Sequence, residues 1–212
     1  MKRTVILFTF VFILIACKKK ENEIAEKTVA PTSSSSSYTI KDYFPLKYGN
    51  YWVYQLTKTD TNGVILSTIL DSCLVYDSSF VNSKWFYKVS GSTFNSGYYI
   101  DSAGYIIGTG GAKALSLINN DTVNRVFYNS SGSWYNIYDI VKTSPTTFLF
   151  NSNTYSNCIN RYSYFYSNMN AYCPNWVLDN TYCPGVGLVY SKYGFINSCD
   201  VWELKLLRYK IN

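Results

Sequence analysis

From Tyr38 onward, apolar residues recur at every second position in short runs, and clusters of Asn, Asp, Ser and Gly separate the runs. A period of two puts alternate side chains on opposite faces of a strand. Tyr51 to Thr57 is one such run. Asn62-Gly63 follows it and predicts a type I′ hairpin, because both residue types tolerate a positive φ. Val64 to Tyr76 then reads as a long, bent strand, and Trp85 to Val89 as another. Tyr98-Tyr99-Ile100 and Tyr105-Ile106-Ile107 flank a turn at Asp101 to Gly104. Arg125 to Tyr128 and Trp134 to Tyr138 flank Asn129 to Ser133. Thr147 to Phe150 and Tyr155 to Tyr166 are joined through Asn151-Ser152-Asn153. Gly187 to Tyr193 and Val201 to Ile211 complete the set. The one stretch that suits a helical turn is Ala112 to Ile118.

Short links between successive strands predict sequential antiparallel neighbours. About ten strands with one wet face cannot lie flat without leaving an apolar face exposed. The expected fold is mainly β: one strongly curved antiparallel sheet, or an open barrel, of about ten meandering strands.

The N-terminus follows a different pattern. Lys2 and Arg3 precede an apolar run from Val5 to Ile15, broken only by Thr9, and Leu14-Ile15-Ala16-Cys17 follows. A run of that length is too short to cross a bilayer of about 30 Å and suits an export signal. Leu14-Ile15-Ala16-Cys17 resembles the lipobox of bacterial lipoproteins. The resemblance implies a diacylglyceryl group on Cys17, cleavage after Ala16 and acylation of the new amino group. Several acyl chains on one residue would hold the chain at a membrane without a spanning helix. Residues 18–37, with Lys18-Lys19-Lys20 at the start, mixed charges, Pro31 and the run Ser33 to Ser37, show no apolar periodicity and read as a flexible linker. Three parts are therefore expected: a signal at 1–16, a lipidated Cys17 and linker over 17–37, and one β domain over 38–212.

Composition supports the β reading. The chain holds 22 Tyr and 12 Phe among 212 residues, and Tyr suits a pleated surface. The net charge of +6 is scattered, with no basic face of the kind a nucleic-acid reader presents. Two motifs then stand out. Tyr43-Phe44-Pro45-Leu46, with Gly49-Asn50-Tyr51-Trp52-Val53-Tyr54, and Pro184-Gly185-Val186-Gly187-Leu188-Val189 resemble the opening and closing motifs of a family of small Bacteroidetes lipoproteins. The resemblance implies a shared fold and an envelope location, and no known activity. Cys183 departs from it, since Ala is usual there, and Ser167 to Asn180 reads as an insertion special to this chain.

Past Cys17 the domain holds Cys73, Cys158, Cys173, Cys183 and Cys199. Export places them where disulfides persist, and five allow two bridges and one thiol. The local expectation is Cys173 with Cys183, then Cys158 with Cys199, leaving Cys73 as a buried thiol. A Cys₄ zinc site lacks any C-x₂₋₄-C pair, and the chain has no histidine to complete one.

The missing histidine also removes Ser-His-Asp and Cys-His nucleophile systems and the commonest general base. Gly185-Val186-Gly187 leads into a strand, so no helix N-terminus stands there to cradle a phosphate. Gly108 to Lys113 lacks the P-loop spacing. No enzyme, metal or cofactor is expected. The expectation is a tethered binding or accessory module whose aromatic side chains meet a glycan, a peptide or an envelope protein. Tyr98, Tyr99, Trp134, Tyr135 and Trp176 are the candidate contacts. A structural subunit of an outer-membrane assembly and a lipid carrier with a barrel cavity are the alternatives. Lys18 in place of Asp after Cys17 favours the outer membrane, by analogy with enterobacterial lipoproteins.

Overall fold

The structure is a computed structural model, and it describes residues 38–91, 98–102, 105–108, 111–150, 152–168, 178–195 and 198–212. Cys17, the signal and the linker lie outside the described residues, as do Cys173 and Trp176.

A short helix, α1 (Ile40–Tyr43), leads into twelve strands. These are β1 (Tyr51–Thr59), β2 (Ile65–Val81), β3 (Lys84–Ser90), β4 (Tyr98–Ser102), β5 (Tyr105–Gly108), β6 (Lys113–Ser116), β7 (Thr122–Ser130), β8 (Ser133–Phe150), β9 (Asn153–Ser167), β10 (Leu178–Cys183), β11 (Gly187–Phe195) and β12 (Ser198–Lys210). All belong to one antiparallel sheet ordered β6-β5-β4-β3-β2-β1-β12-β11-β10-β9-β8-β7. The mainly β, open antiparallel fold is the one expected. Two six-strand meanders share the β1–β12 seam, with Tyr51 opposite Lys210 and Thr59 opposite Val201.

This order forces the sheet to curl. Twelve strands laid flat would span about 50 Å at the usual strand spacing. The edge strands β6 and β7 are consecutive in sequence, and the five residues 117–121 between them reach about 20 Å at most. The edges therefore come round toward each other, although β6 and β7 share no ladder among the described residues. Other contacts bridge the gap. Arg161 on β9 donates to the Ala114 carbonyl on β6 at 2.7 Å. The Asn120 amide donates to the Val141 carbonyl at 2.8 Å, and Val141 returns a bond to Asp121.

Alternation fills the concave side. Trp52, Tyr54 and Leu56 of β1, Ile137 and Val141 of β8, and Leu204 and Leu206 of β12 are buried. Tyr54, Val75, Leu115, Val189 and Leu204 are essentially inaccessible to solvent.

Several local expectations change. Lys113–Ser116 is a strand rather than a helical turn; Leu115 and Ser116 are buried there. The two segments around Trp134 and Phe148 are one 18-residue strand, with register shifts on either side of Thr146. Pro145 stands at the first shift and has no N–H to give a ladder. Leu178–Cys183, of which Leu178 to Asn180 close the expected insertion, is β10. The β1–β2 turn is not type I′: Gly63 alone has a positive φ, of 79°. Asp60 explains the change. Its carboxylate accepts from the Asn62 and Val64 amides at 2.9 and 2.8 Å, and its carbonyl accepts from Gly63.

Candidate binding surface

The two motifs from opposite ends of the domain meet. The Trp52 indole N–H donates to the Val186 carbonyl at 2.6 Å, and the Tyr54 hydroxyl to the Leu188 carbonyl at 3.0 Å, both buried. Gly187 has φ +98°, and a Cβ there would stand 3.3 Å from Pro45 and 3.4 Å from Trp52. The Gly185 amide donates to Asp42 in α1 at 2.8 Å. Asn50, fully buried, donates to the Pro45 carbonyl and accepts from the Asn212 amide, which ties the first turn to the last residue. These residues lock the fold, and Asn50, Trp52, Tyr54, Val186 and Leu188 among them are buried.

Beside the lock, Thr39 caps α1 through Asp42, and Ile40, Tyr43 and Phe44 are buried. The Tyr43 hydroxyl donates to the Asn157 carbonyl, and burial first, then Tyr38 and Asp42, pushes its pKa up to about 12. A cleft of about 200 Å³ lies here, lined by Lys41, Phe44, Leu46, Lys47, Tyr87 and Asn212, among others.

The Cys158–Cys183 disulfide pins β9 to β10. It corrects both expected pairings, Cys173 with Cys183 and Cys158 with Cys199. The cause is β10 itself: Tyr182 lies opposite Ile159, which brings the two cysteines alongside. Cys199 is also disulfide-bonded, and Cys73 is a buried free thiol. Among the described residues no group of three His, Cys, Asp or Glu could hold a metal ion.

The strands β7, β8 and β9 carry a different chemistry on each face. Register places Asn124, Asp139 and Ser163 in one row on the concave face, and Val141 beside Arg161 in the next. Asp139, 5% exposed, accepts from Arg161 at 2.6 Å, from Asn124 at 3.0 Å and from Ser163. This buried pair holds β7 to β9, and its Arg161 reaches β6. Further along the same face, Tyr128 stacks on Tyr135 at 5.0 Å and Tyr135 on Phe165 at 6.0 Å.

The convex face of the same strands presents aromatics to solvent. Asn136 lies opposite Phe127 and Tyr166, Tyr138 opposite Arg125 and Tyr164, and Ile140 opposite Tyr162. Phe127, Trp134, Tyr164 and Tyr166 are exposed. Tyr138 meets Tyr166 edge-on at 6.1 Å, and Tyr162 meets Tyr164 at 5.1 Å. Arg125 lies over Tyr138 and Lys142 over Tyr162, at 5.1 and 5.9 Å from the ring centres. Polar tips are linked: Tyr164 donates to the Tyr162 hydroxyl at 3.1 Å, and Asn136 to the Tyr138 hydroxyl at 2.6 Å. The hydrogen bond to Tyr162 raises the Tyr164 pKa. The face is thus a row of rings held upright by neighbours, flanked by two cations.

Of the five expected contacts, the structure describes the side chains of Trp134 and Tyr135, which lie on opposite faces. Trp134 joins the convex face, whereas Tyr135 turns to the concave one. Tyr98 and Tyr99 pair with Lys88 and Tyr87 through β4, and their side chains lie outside the described residues, like Trp176. The convex face also carries Tyr138, Tyr162, Tyr164 and Tyr166, which are not among the five. Their signal was available in Tyr162-Ser163-Tyr164-Phe165-Tyr166, where the tyrosines fall on one side of the strand.

No known protein family matches the sequence, and no curated protein does. Two solved structures align over most of the chain. An exported protein from Bacteroides fragilis, described as having a YmcC-like fold, is 10% identical with a TM-score of 0.43, covering 79% of this chain and 98% of its own. A lipoprotein from Parabacteroides distasonis is 14% identical with a TM-score of 0.37, covering 82% of this chain and all of its own.

Proposed function

We propose that this protein is a lipid-anchored, non-catalytic binding module of the cell envelope, and that the convex face of β7–β9 is its ligand surface. The observation that carries the reading is the exposed row Phe127, Trp134, Tyr164 and Tyr166, with half-buried Tyr138 among them, on one strand face. Rings fixed by cross-strand neighbours lose little freedom on binding and present both an apolar plane and a hydroxyl. Such a row suits an extended glycan, whose sugar rings have apolar faces edged by hydroxyls. Arg125 and Lys142 add a preference for acidic sugars. The anchor follows from Leu14-Ile15-Ala16-Cys17, and by the same reading the chain resides in the outer membrane. Among the described residues no helix is long and apolar enough to cross a membrane.

The test is a glycan array probed with the mature chain carrying Cys17→Ala, followed by titration calorimetry on any hit. Tyr164→Ala with Tyr166→Ala is expected to weaken binding at least tenfold. An array with no hit, or binding indifferent to those changes, would contradict the assignment. A second reading, a subunit of an envelope assembly, is favoured by exposed Val64, Ile65, Leu66, Ile69 and Leu70 at the β1–β2 hairpin. A stoichiometric partner recovered by wild type and lost in Leu66→Ser with Leu70→Ser would favour that reading instead.

A further inference from the structure

Two hairpins run past the end of the sheet that α1 seals. Leu74 of β2 lies opposite Tyr51, the first residue of β1, and the Gly49-Asn50 turn bonds to Val75. Beyond that level β2 continues to Val81, paired with β3. Six further residues carry the tip about 20 Å past the start of β1. In the same way β10 ends at Cys183, bonded to Cys158, while β8 and β9 extend beyond it to Phe150 and Asn153. The described chain enters at this end. Tyr38 meets Tyr43 edge-on at 6.0 Å, and its hydroxyl accepts from the Asn157 side chain at 3.5 Å. Everything N-terminal of Tyr38, including Cys17, attaches here.

This end exposes apolar and basic side chains together. Phe80 and Trp85 at the β2–β3 tip are 61% and 50% exposed and pack on each other at 5.3 Å. Val81 beside them, Tyr48 in the first turn and Leu149 at the β8–β9 tip are exposed too. Lys41, Lys47, Lys84 and Lys210 are exposed around them. Among the described residues the nearby acids are engaged, Asp42 in the α1 cap and Asp77 in a 3.1 Å pair with Lys88. Exposed Trp and Phe beside lysines suit the boundary between acyl chains and anionic headgroups.

Resting on the lipoprotein reading above, we infer that this end of the domain docks directly on the anionic bilayer surface that holds the Cys17 lipid. The tether would then bring the hairpin tips to the membrane and leave the convex aromatic face of β7–β9 free. The other exposed apolar stretch, Ile65 to Leu70, lies toward the opposite end of β2, away from where the tether enters.

The test uses the mature chain with Cys17→Ala, which has no acyl chains, sedimented with vesicles of 30% phosphatidylglycerol in phosphatidylethanolamine and with pure phosphatidylcholine vesicles. Binding to the anionic vesicles that weakens with salt is expected. Phe80→Ser with Trp85→Ser should reduce it at least tenfold, and Lys41→Glu, Lys47→Glu and Lys84→Glu together should do the same with the apolar tips intact. Leu66→Ser with Leu70→Ser should leave it unchanged. No binding to anionic vesicles, or loss through the Leu66 and Leu70 changes alone, would overturn the inference. Palmitate labelling of the unaltered chain reports the anchor separately. Label without vesicle binding removes the docking alone, and vesicle binding without label removes the anchor alone.

Discussion

Tyr54→Phe removes one oxygen from the centre of the fold. Tyr54 is fully buried, and its hydroxyl donates to the Leu188 carbonyl at 3.0 Å. Phe fills nearly the same space, so little cavity term arises. What remains is a carbonyl that loses a partner in a dry interior, at a cost of about 1–3 kcal/mol. In a domain of this size each kcal/mol moves Tm by about 2–4 °C, so the variant should melt roughly 2–12 °C lower. Trp52→Phe should cost more, about 2–4 kcal/mol, since it loses both the bond to Val186 and part of a ring packed against Gly187. The two positions bond to Val186 and Leu188, two residues apart in the chain, so the double variant should deviate from additivity. The assay is urea unfolding of the mature Cys17→Ala chain, followed by circular dichroism and by tryptophan fluorescence. A Tyr54→Phe protein as stable as its parent would show that the meeting of the two motifs does not hold the fold.

Other consequences follow from the same contacts. Burial raises the pKa of Tyr54, Tyr182 and Tyr190, in Tyr190 with help from Glu203, and pushes Tyr43 up to about 12. The folded state then holds protons that the unfolded chain releases near pH 10, so stability stays level below that pH and falls as pH rises beyond it. The last part of the rise in absorbance at 295 nm, from these buried tyrosines, should therefore coincide with unfolding; complete tyrosine titration in a chain that is still folded would contradict this. Non-reducing peptide mapping should link Cys158 to Cys183, leave Cys73 free, and join Cys199 to the remaining domain cysteine, Cys173. Cutting the first bridge, which spans 25 residues, should cost about 3 kcal/mol in urea unfolding. Arg161→Met strands Asp139 in the interior and should cost about 3–5 kcal/mol, with faster amide exchange at β6. Arg161→Met with Asp139→Leu should recover much of that loss.

The fold was legible where structure is local. Alternation placed the strands, and Asn, Asp and Gly marked their turns. The errors arose where a distant partner decides the outcome. Ala112 to Ile118 has helix-compatible residues, yet pairing with β5 and burial of Leu115 make it a strand. Leu178 to Cys183 looks like loop until β9 and β11 flank it, and the disulfide could not be paired before β10 was recognised. The β1–β12 seam joins residues more than 140 positions apart, which no local signal encodes. The binding face is intermediate. Trp134 and Tyr135 are consecutive and so must face opposite sides, which the period of two already implied. Which side is wet depends on the curl, and the curl depends on the seam.

The tether at Cys17 underlies both the proposed function and the proposed docking. Cells expressing the full chain, fed labelled palmitate and then fractionated, test it directly. The account predicts label on the protein and recovery with membranes, with both lost in Cys17→Ala under high salt, which strips any contact by the hairpin tips. An unlabelled protein, or a Cys17→Ala chain still held in the salt-washed membrane, would contradict it.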